Sequence, residues 1–172
     1  MKSITSFLME QPKASYAGDM IANLTTLPAP PPLPEGIALK RALPADKSRI
    51  LAFVRLHFNK NWVNEAEYAL NREPPACFLA TENGSLVGFA CYDASAKGFF
   101  GPTGVAKTQR GRGVGAALLF RTLEAMREYG YGYAVIGWVG ETADFYRKTV
   151  GAQYIPGGEP KNSVYSRFIF MD

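Results

Sequence analysis

The residues with the clearest chemical meaning are three glycines that alternate with other residues in the segment Gln109–Ala116, beside two arginines. The segment precedes a stretch with helical periodicity, so its backbone amides are predicted to lie at a helix N-terminus without intrahelical partners. Because glycine has no side chain, a phosphate can approach such amides closely. The segment therefore predicts a diphosphate-binding loop. Its predicted binding residues are Arg110, Gly111, Arg112, Gly113, Val114, Gly115 and Ala116.

Two other phosphate motifs fit this segment less well. Gly111-x-Gly113-x-x-Ala116 satisfies the dinucleotide pattern G-x-G-x-x-A. That pattern belongs at the first strand-to-helix turn, with an acidic residue ending the next strand. Here several predicted strands precede it, and the next strand ends in Trp138-Val139-Gly140. The P-loop pattern fails because no Gly-Lys-Ser/Thr follows. A dinucleotide-dependent redox enzyme remains an alternative, and it predicts tighter binding of NAD than of CoA.

Two motifs resemble those of a known family. Arg110-x-x-Gly113-x-Gly115 is similar to the acetyl-CoA signature of the GNAT (Gcn5-related N-acetyltransferase) superfamily, Gln/Arg-x-x-Gly-x-Gly/Ala. Phe145-Tyr146-x-Lys148 resembles the Phe-Tyr-x-Lys of the family's penultimate helix. The order of predicted elements over residues 37–172 matches as well, so the resemblance covers most of the chain.

The resemblance implies an acetyl-CoA-dependent N-acyltransferase. Acetyl-CoA is then the co-substrate, and a primary amine of a small molecule, such as an amino sugar or another cationic amine, attacks it directly. Two alternatives stay open. One is a non-catalytic module that binds acyl-CoA as a sensor, and the other is an acetyltransferase that acts on protein or peptide amines.

The resemblance also implies roles for single residues. Tyr146 is predicted to protonate the leaving thiolate, because a phenol that is hydrogen-bonded to the sulfur can donate at little thermodynamic cost. The alternative for Tyr146 is a core residue that only packs. Lys148 is predicted to reach a CoA phosphate. Backbone groups near Thr103 and Val105 are predicted to bind the pantetheine arm, because Pro102 has no amide hydrogen and interrupts strand pairing there.

Two features depart from the family pattern. Thr149 and Val150 both precede Gly151, where the family has one residue, and this predicts an altered exit from the helix. Residues 1–36 are predicted to form an N-terminal extension outside the common fold. It contains the Pro-rich spacer Leu27–Pro34 and, around residues 16–24, a short amphipathic helix that docks on the domain or on a partner subunit.

The sequence does not assign the general base or the acceptor. No acidic residue lies on the glycine-rich strand where some family members place the base. The remaining candidates for the base are Glu65, Glu67, Asp93, Glu141 and His57. Acceptor specificity in this fold usually comes from the first two helices and the final hairpin. Those segments offer Trp62, Glu65, Tyr68 and residues 157–161.

The composition favours a cytoplasmic protein without a metal site. The 172 residues include one histidine and two cysteines, too few for a common zinc site, so we expect no metal. The net charge of +4 is mild, and no interleaving of aromatic and basic residues predicts nucleic-acid binding. No apolar run has the ~20 residues that a membrane helix needs, and we expect no membrane contact. A homodimer is compatible with the sequence.

The resemblance, together with the order of predicted elements, implies an α/β (α+β) domain over residues 37–172. The expected GNAT fold has a central mixed, largely antiparallel sheet of six to seven strands, splayed between strands 4 and 5 and flanked by about four helices. Strands are predicted at 37–42, 76–81, 86–92, 97–105, 133–139, 153–155 and 164–170. Helices are predicted at 44–58, 61–72, 113–129 and 141–150.

Overall fold

The computed structural model describes residues 16–169. Its strands are β1 (Gly18–Asn23), β2 (Ile37–Arg41), β3 (Cys77–Glu82), β4 (Ser85–Tyr92), β5 (Phe99–Val105), β6 (Tyr133–Val139) and β7 (Gln153–Tyr154). Its α-helices are α1 (Lys47–His57), α2 (Lys60–Leu70), α3 (Val114–Tyr129) and α4 (Ala143–Val150). The strands and helices predicted between residues 37 and 155 are confirmed, with small shifts at their ends.

The seven strands form one sheet in the order β2-β3-β4-β5-β6-β1-β7. Neighbouring strands are antiparallel, except that β5 and β6 run parallel. The Asn83-Gly84 turn between β3 and β4 has positive φ at both residues, as a tight hairpin requires. A mixed, mostly antiparallel sheet flanked by four helices confirms the predicted fold class.

The N-terminal segment contributes a strand to the interior of the sheet, so the predicted helix around residues 16–24 is wrong. In β1, Ile21 lies opposite Val135 of β6 on one side and opposite Gln153 of β7 on the other. Met20, Ala22 and Leu24 are all buried, and this spacing of two residues is that of the side chains on one face of a strand. The folded domain therefore begins before residue 37, which corrects the predicted boundary. Residues 1–15 of the predicted extension lie outside the described residues.

Helices cover both faces of the sheet. Both α2 and α3 contact β3, β4 and β5, and residues 87–92 of β4 are all buried. A strand that is buried on both faces needs a packed layer on each side, so α2 and α3 lie on opposite faces. The predicted apolar face of α3, with Leu119, Leu123 and Met126, is confirmed as core. Among residues 16–169, no helix combines the length and the apolar character needed to cross a bilayer.

The sheet opens between β5 and β6, which confirms the predicted splay. Only Phe99 and Phe100 of β5 pair with β6, opposite Val135 and Ile136. Beyond this point β5 carries one extra residue relative to β4, because Thr103 pairs with Ala90 while Phe100 pairs with Tyr92. Such a bulge bends the strand and ends regular pairing. The edge of β5 that faces β6 is therefore free from Gly101 to Val105, within the part of the chain that the structure describes.

The end of the chain differs from the prediction. Val164–Arg167 forms a 3-10 turn, so the strand predicted over residues 164–170 is wrong; residues 170–172 lie outside the described part. The extra residue before Gly151 is accommodated inside α4, which includes both Thr149 and Val150. Gly151 then ends the helix at a φ of +66°, and its amide donates to the carbonyl of Arg147 at 3.0 Å.

Candidate functional site

The glycine-rich segment has the backbone of an anion cradle. Gly111 and Gly113 adopt φ values of +78° and +88°, in the left-handed region that glycine favours over other residues. Gly113 is the N-cap of α3, and the chain turns there from an exposed loop into the helix. The two left-handed glycines therefore fix the path by which this segment enters α3.

The amides of this segment are available to a ligand. Among residues 16–169, no backbone carbonyl accepts from the amides of residues 111–116, whereas the next amide, that of Ala117, donates to Gly113 at 3.1 Å. A helix of sixteen residues adds partial positive charge at this end. The structure thus brings together the predicted residues Gly111, Gly113, Val114, Gly115 and Ala116 in one row of free donors.

The two arginines of the segment have separate partners. The Arg110 guanidinium donates from Nε to the carbonyl of Val105 at 3.1 Å, tying the loop to the end of β5. Arg112 turns the other way and forms a salt bridge with Glu82 at 2.8 Å. The hydrogen bond from Arg112 lowers the pKa of Glu82. The charge of Arg112 is therefore shared with Glu82, and Arg110 is the arginine whose charge stays beside the free edge of β5.

A cavity of about 330 Å³ lies in the gap between β5 and β6. Residues from α2, the β4–β5 loop, β5, β6, α4 and the C-terminal turn line it, among them Trp62, Glu65, Thr103, Trp138, Tyr146 and Tyr165. The free edge of β5 runs from this cavity to Val105, about 13 Å for four residues of extended chain. The edge ends beside the cradle, because a side-chain carbon added at Gly115 would lie 3.8 Å from the Val105 side chain.

Tyr146 lies at the cavity, as its predicted role requires. Its ring is buried beside Phe100, with the ring centres 6.3 Å apart, and its amide donates to Thr142 in the first turn of α4. No hydrogen bond to its hydroxyl occurs among residues 16–169, although every buried polar side-chain atom there has a partner. The hydroxyl is therefore open to the cavity. Burial raises the pKa of Tyr146 to about 12, so the phenol stays protonated.

The remaining predicted residues are less directly placed. The Thr103 hydroxyl donates to the carbonyl of Phe89 at 3.1 Å. The backbone of Thr103, and not its hydroxyl, is therefore the part that is available to a ligand in the gap. Val105 accepts from Arg110, as described. Lys148 is exposed on α4 and two residues from Tyr146, about 200° further around the helix. Lys148 does not line the cavity that Tyr146 lines, and its contact with a CoA phosphate stays a prediction.

Of the five candidate bases, only Glu65 lines the cavity. Burial raises the pKa of Glu65, and an interaction with the Ser95 hydroxyl partly opposes this shift. Asp93 is instead committed to structure, because it accepts from Tyr131 at 2.9 Å and from the amide of Gly98 at 2.6 Å. Glu67 pairs with Lys47, and the other two candidates, Glu141 and His57, are exposed. Among residues 16–169, no group of three or more metal-ligating side chains is placed to hold an ion.

Three residues at the cavity or behind it were not predicted. Trp138 has a φ of +48°, which is strained for a bulky residue, and its amide donates to the Asp19 carboxylate at 2.9 Å. Tyr165 packs its ring 5.2 Å from that of Trp138. An isolated glycine in an apolar strand indicates a bulge or the close approach of another group. Gly137 in β6 is such a glycine, and it could have indicated both the irregular backbone at Trp138 and the close approach of Tyr165. Nothing in the local sequence marked Asp19.

Comparison with known proteins agrees with this site. A model of the acetyltransferase (GNAT) family matches residues 43–152, more than half of the chain. The matched range contains the cradle, the free edge of β5, Glu65 and Tyr146. No curated protein matches the chain.

Solved structures share the fold at low sequence identity. A GCN5-related N-acetyltransferase from Sphaerobacter thermophilus is 24% identical with a TM-score of 0.65, over 81% of this chain and 48% of that chain. One from Kribbella flavida is 19% identical with a TM-score of 0.60, over 80% and 54%. The glucosamine N-acetyltransferase region of a fungal multi-domain beta-N-acetylglucosaminidase is 18% identical with a TM-score of 0.63, over 81% and 20%. The present chain thus spans about a fifth to a half of these chains.

Proposed function

The chain belongs to the GNAT family of acetyltransferases, and on that premise we propose that it transfers the acetyl group of acetyl-CoA to a primary amine of a small molecule. The observation that carries the proposal is the cavity in the splay, where a protonated phenol and a carboxylate line one space. Acetyl-CoA supplies an activated acyl group whose leaving group is a thiol. The reaction needs a proton donor for the departing thiolate and an acceptor for the proton that the attacking amine loses.

The cradle fits the diphosphate of CoA. Its row of free amides lies at a helix N-terminus, with the two left-handed glycines leaving it uncovered. A side-chain carbon added at Gly111 would meet no atom within 4 Å, and one at Gly113 would meet only Pro34, at 3.6 Å. The space in front of Gly111 is therefore open to a ligand. Gly111–Ala116 would hold the diphosphate. The free edge of β5 from Gly101 to Val105 would pair with the pantetheine arm, except at the Val105 carbonyl, which accepts from Arg110.

Tyr146 supplies the proton donor. A phenol with a pKa of about 12 is fully protonated at neutral pH. Complete transfer to a thiolate whose thiol has a pKa near ~8.5 would be uphill by about 5 kcal/mol, at 1.36 kcal/mol per pKa unit. Burial in the same cavity raises the pKa of a thiol as it raises that of the phenol. The gap between the two pKa values is therefore smaller when the thiol is also in the cavity than when it is in water. Tyr146 donates a hydrogen bond that strengthens as negative charge develops on the sulfur, and the proton moves to the thiolate as it leaves.

Glu65 supplies the proton acceptor. It extends from α2 into the same cavity, and its burial raises the pKa of the carboxyl and makes the carboxylate a stronger base. The carboxylate also attracts an ammonium group, so one side chain would bind the protonated amine and then remove its proton. The base acts in its ionised form, so activity should rise as the pH increases through the pKa of Glu65. Because burial raises that pKa, the rise should occur at a higher pH than for an exposed glutamate.

The proposal is tested by ligand binding and by turnover. CoA and acetyl-CoA should each stabilise the protein, and at 100 times Kd the gain is about 2.7 kcal/mol, or a Tm increase of roughly 5–11 °C for a domain of this size. Mixing acetyl-CoA with a panel of amines should release free thiol, measured colorimetrically. Stabilisation by NAD at the same concentration, with none by CoA, would overturn the assignment in favour of the dinucleotide alternative. Binding of CoA without thiol release for any amine would favour the sensor alternative.

Replacing Glu65 by glutamine should change the pH dependence as well as the rate. In Glu65→Gln, kcat/KM at pH 7 should fall by about 100-fold, at the lower end of what a general base contributes. The deficit should shrink as the pH rises, because the free amine then forms without help from a base. The control is Glu67→Gln, since Glu67 lies two residues further along α2 and pairs with Lys47 at 3.0 Å, away from the cavity. A uniform loss at all pH values would mean that Glu65 binds the amine without acting as the base.

A further inference from the structure

Aromatic rings close the side of the splay that faces α2. A side-chain carbon at Gly137 would lie only 1.9 Å from the hydroxyl oxygen of Tyr165, so Tyr165 occupies space that any larger residue in β6 would fill. On the facing strand, a side-chain carbon at Gly104 would lie 2.2 Å from the ring of Phe58. Phe58 in turn packs against Trp62, with ring centres 5.0 Å apart. Each edge of the gap therefore has a glycine against which an aromatic side chain rests.

Asp19 fixes the aromatic side chains on the β6 edge. Its buried carboxylate accepts from the amide of Trp138 and from the hydroxyl of Ser163, two residues before Tyr165 in the C-terminal turn. The amide of Asp19 also donates to Gly158 at 2.7 Å. A single buried side chain thus holds the strained Trp138 and the segment that carries Tyr165. Asp19 and Tyr165 both lie outside the range that the family model matches, whereas Trp138 lies within it.

The charge distribution around the cavity favours a positively charged ligand over a negatively charged one. Of its lining residues in the described part of the chain, Glu65 is the only one with a carboxyl group, and none is a lysine, arginine or histidine. A ligand ammonium group would therefore find a carboxylate and the faces of Trp62 and Trp138, which attract cations. A ligand carboxylate would find no cation to pair with and would be repelled by Glu65. Burying such an unpaired charge is strongly unfavourable.

The aromatic wall of the cavity, formed by Trp62, Trp138 and Tyr165, has few side-chain hydrogen-bonding groups near it. The hydroxyl of Thr103 is already bonded to Phe89, and Ser95 interacts with Glu65. Because the Tyr146 hydroxyl and the free edge of β5 serve acetyl-CoA in the proposed reaction, few partners stay for a ligand with many hydroxyl groups, and each unpaired hydroxyl weakens binding. An apolar ligand body would instead pack against Trp62, Trp138 and Tyr165.

Resting on the proposed function, we propose that the acceptor is a primary amine on an uncharged apolar body, and that Trp138 and Tyr165 determine this specificity. The ammonium group lies against Glu65, and the apolar body lies between Trp62 on one side and the Trp138–Tyr165 pair on the other. Amines that carry a carboxylate, such as amino acids, and amines on a polyol, such as amino sugars, are poor acceptors.

Three matched ligands test the proposal: 2-phenylethylamine, L-phenylalanine, which adds only a carboxylate to it, and D-glucosamine. The chain contains two tryptophans, Trp62 and Trp138, and both line the cavity, so intrinsic fluorescence reports binding without acetyl-CoA. Phenylethylamine should bind at least about tenfold more tightly than either of the others, and its kcat/KM should be higher by a similar factor.

Variants of the wall distinguish specificity from general stability. Tyr165→Ala should weaken phenylethylamine binding about tenfold and leave the thermal shift with CoA unchanged. Tyr129→Ala is the matched control, because Tyr129 is 59% exposed on α3 and does not line the cavity. Gly137→Ala places a methyl group where the Tyr165 hydroxyl lies and should reproduce the effect of Tyr165→Ala with the ring still present.

Each outcome separates this inference from the proposed function. Efficient acetylation of glucosamine or phenylalanine, with weak binding of phenylethylamine, would overturn the inference and leave the acetyltransferase in place. Unchanged amine selectivity in Tyr165→Ala and Gly137→Ala would also overturn it. If no amine is acetylated, the proposed function fails, and the fluorescence titration still decides whether the cavity prefers an apolar amine.

Discussion

Gly113→Val should abolish CoA binding while leaving a folded protein. The residue sits at a φ of +88°, where a β-branched side chain is strained by about 1–2 kcal/mol, so the loop should move to a different backbone path. That movement would disperse the row of free amides at the start of α3. A charge-assisted hydrogen bond contributes about 1.5–3 kcal/mol, so losing two of them should weaken binding roughly 10²–10⁴-fold. Calorimetric titration with CoA measures the loss.

Gly130→Val is a closely matched control for this experiment. Gly130 caps the other end of the same helix at a φ of +112°, and a side-chain carbon there would meet no atom within 4 Å. The variant thus carries a comparable backbone strain without touching the cradle. It should lose a similar amount of stability and bind CoA as the parent does. Normal CoA binding by Gly113→Val, or equal loss in both variants, would show that the cradle has been assigned to the wrong residues.

The cradle could be predicted because its signal is local. Alternating glycines before a helical pattern determine both the backbone conformation and the free amides, and the structure adds only the φ values. Tyr146 could be placed through the Phe-Tyr-x-Lys resemblance, and its position at the cavity agrees with that placement. Arg112 shows the limit of such reasoning, since its salt bridge to Glu82 joins positions 30 residues apart in the sequence.

The strand β1 could not be recognised from local pattern. Met20 and Leu24 are four residues apart, and this spacing puts two side chains on one face of a helix and also on one face of a strand. The neighbouring Ile21 favoured the helical interpretation, yet it is 36% exposed while Ala22 is fully buried. The sheet decides between the two, because β1 pairs with β6 on one side and β7 on the other. Those partners lie more than a hundred residues away along the chain.

The C-terminal turn was misassigned for a similar reason. The segment from Val164 onward has the composition of a strand, but Tyr165 reaches into the gap over Gly137 and its backbone follows in a 3-10 turn. Ser163 is held by Asp19, a residue 144 positions earlier. Asp19, near the start of the described chain, therefore holds both Trp138 and the segment of Tyr165, near its end, and only the folded sheet brings them together.

Tyr146→Phe should lower kcat by about 10²–10⁴-fold, the usual contribution of a general acid, if the chemical step limits the rate. The substitution keeps the ring against Phe100 and removes only the hydroxyl that faces the cavity. Acetyl-CoA binding should change little, because the hydroxyl serves the sulfur and the cradle serves the phosphates. The melting temperature should stay the same or rise, since no protein hydrogen bond to this hydroxyl occurs within residues 16–169.

Two comparisons make this experiment specific to proton donation. Tyr154→Phe is the control, because the Tyr154 hydroxyl donates to the carbonyl of Val139 at 3.0 Å and so has a structural partner. That variant should lose stability and keep its kcat, the reverse of Tyr146→Phe. A thioester with a more acidic leaving thiol should suffer less from Tyr146→Phe, because its thiolate needs less stabilisation. A Tyr146→Phe enzyme with kcat near that of the parent would make Tyr146 a packing residue and leave water as the donor.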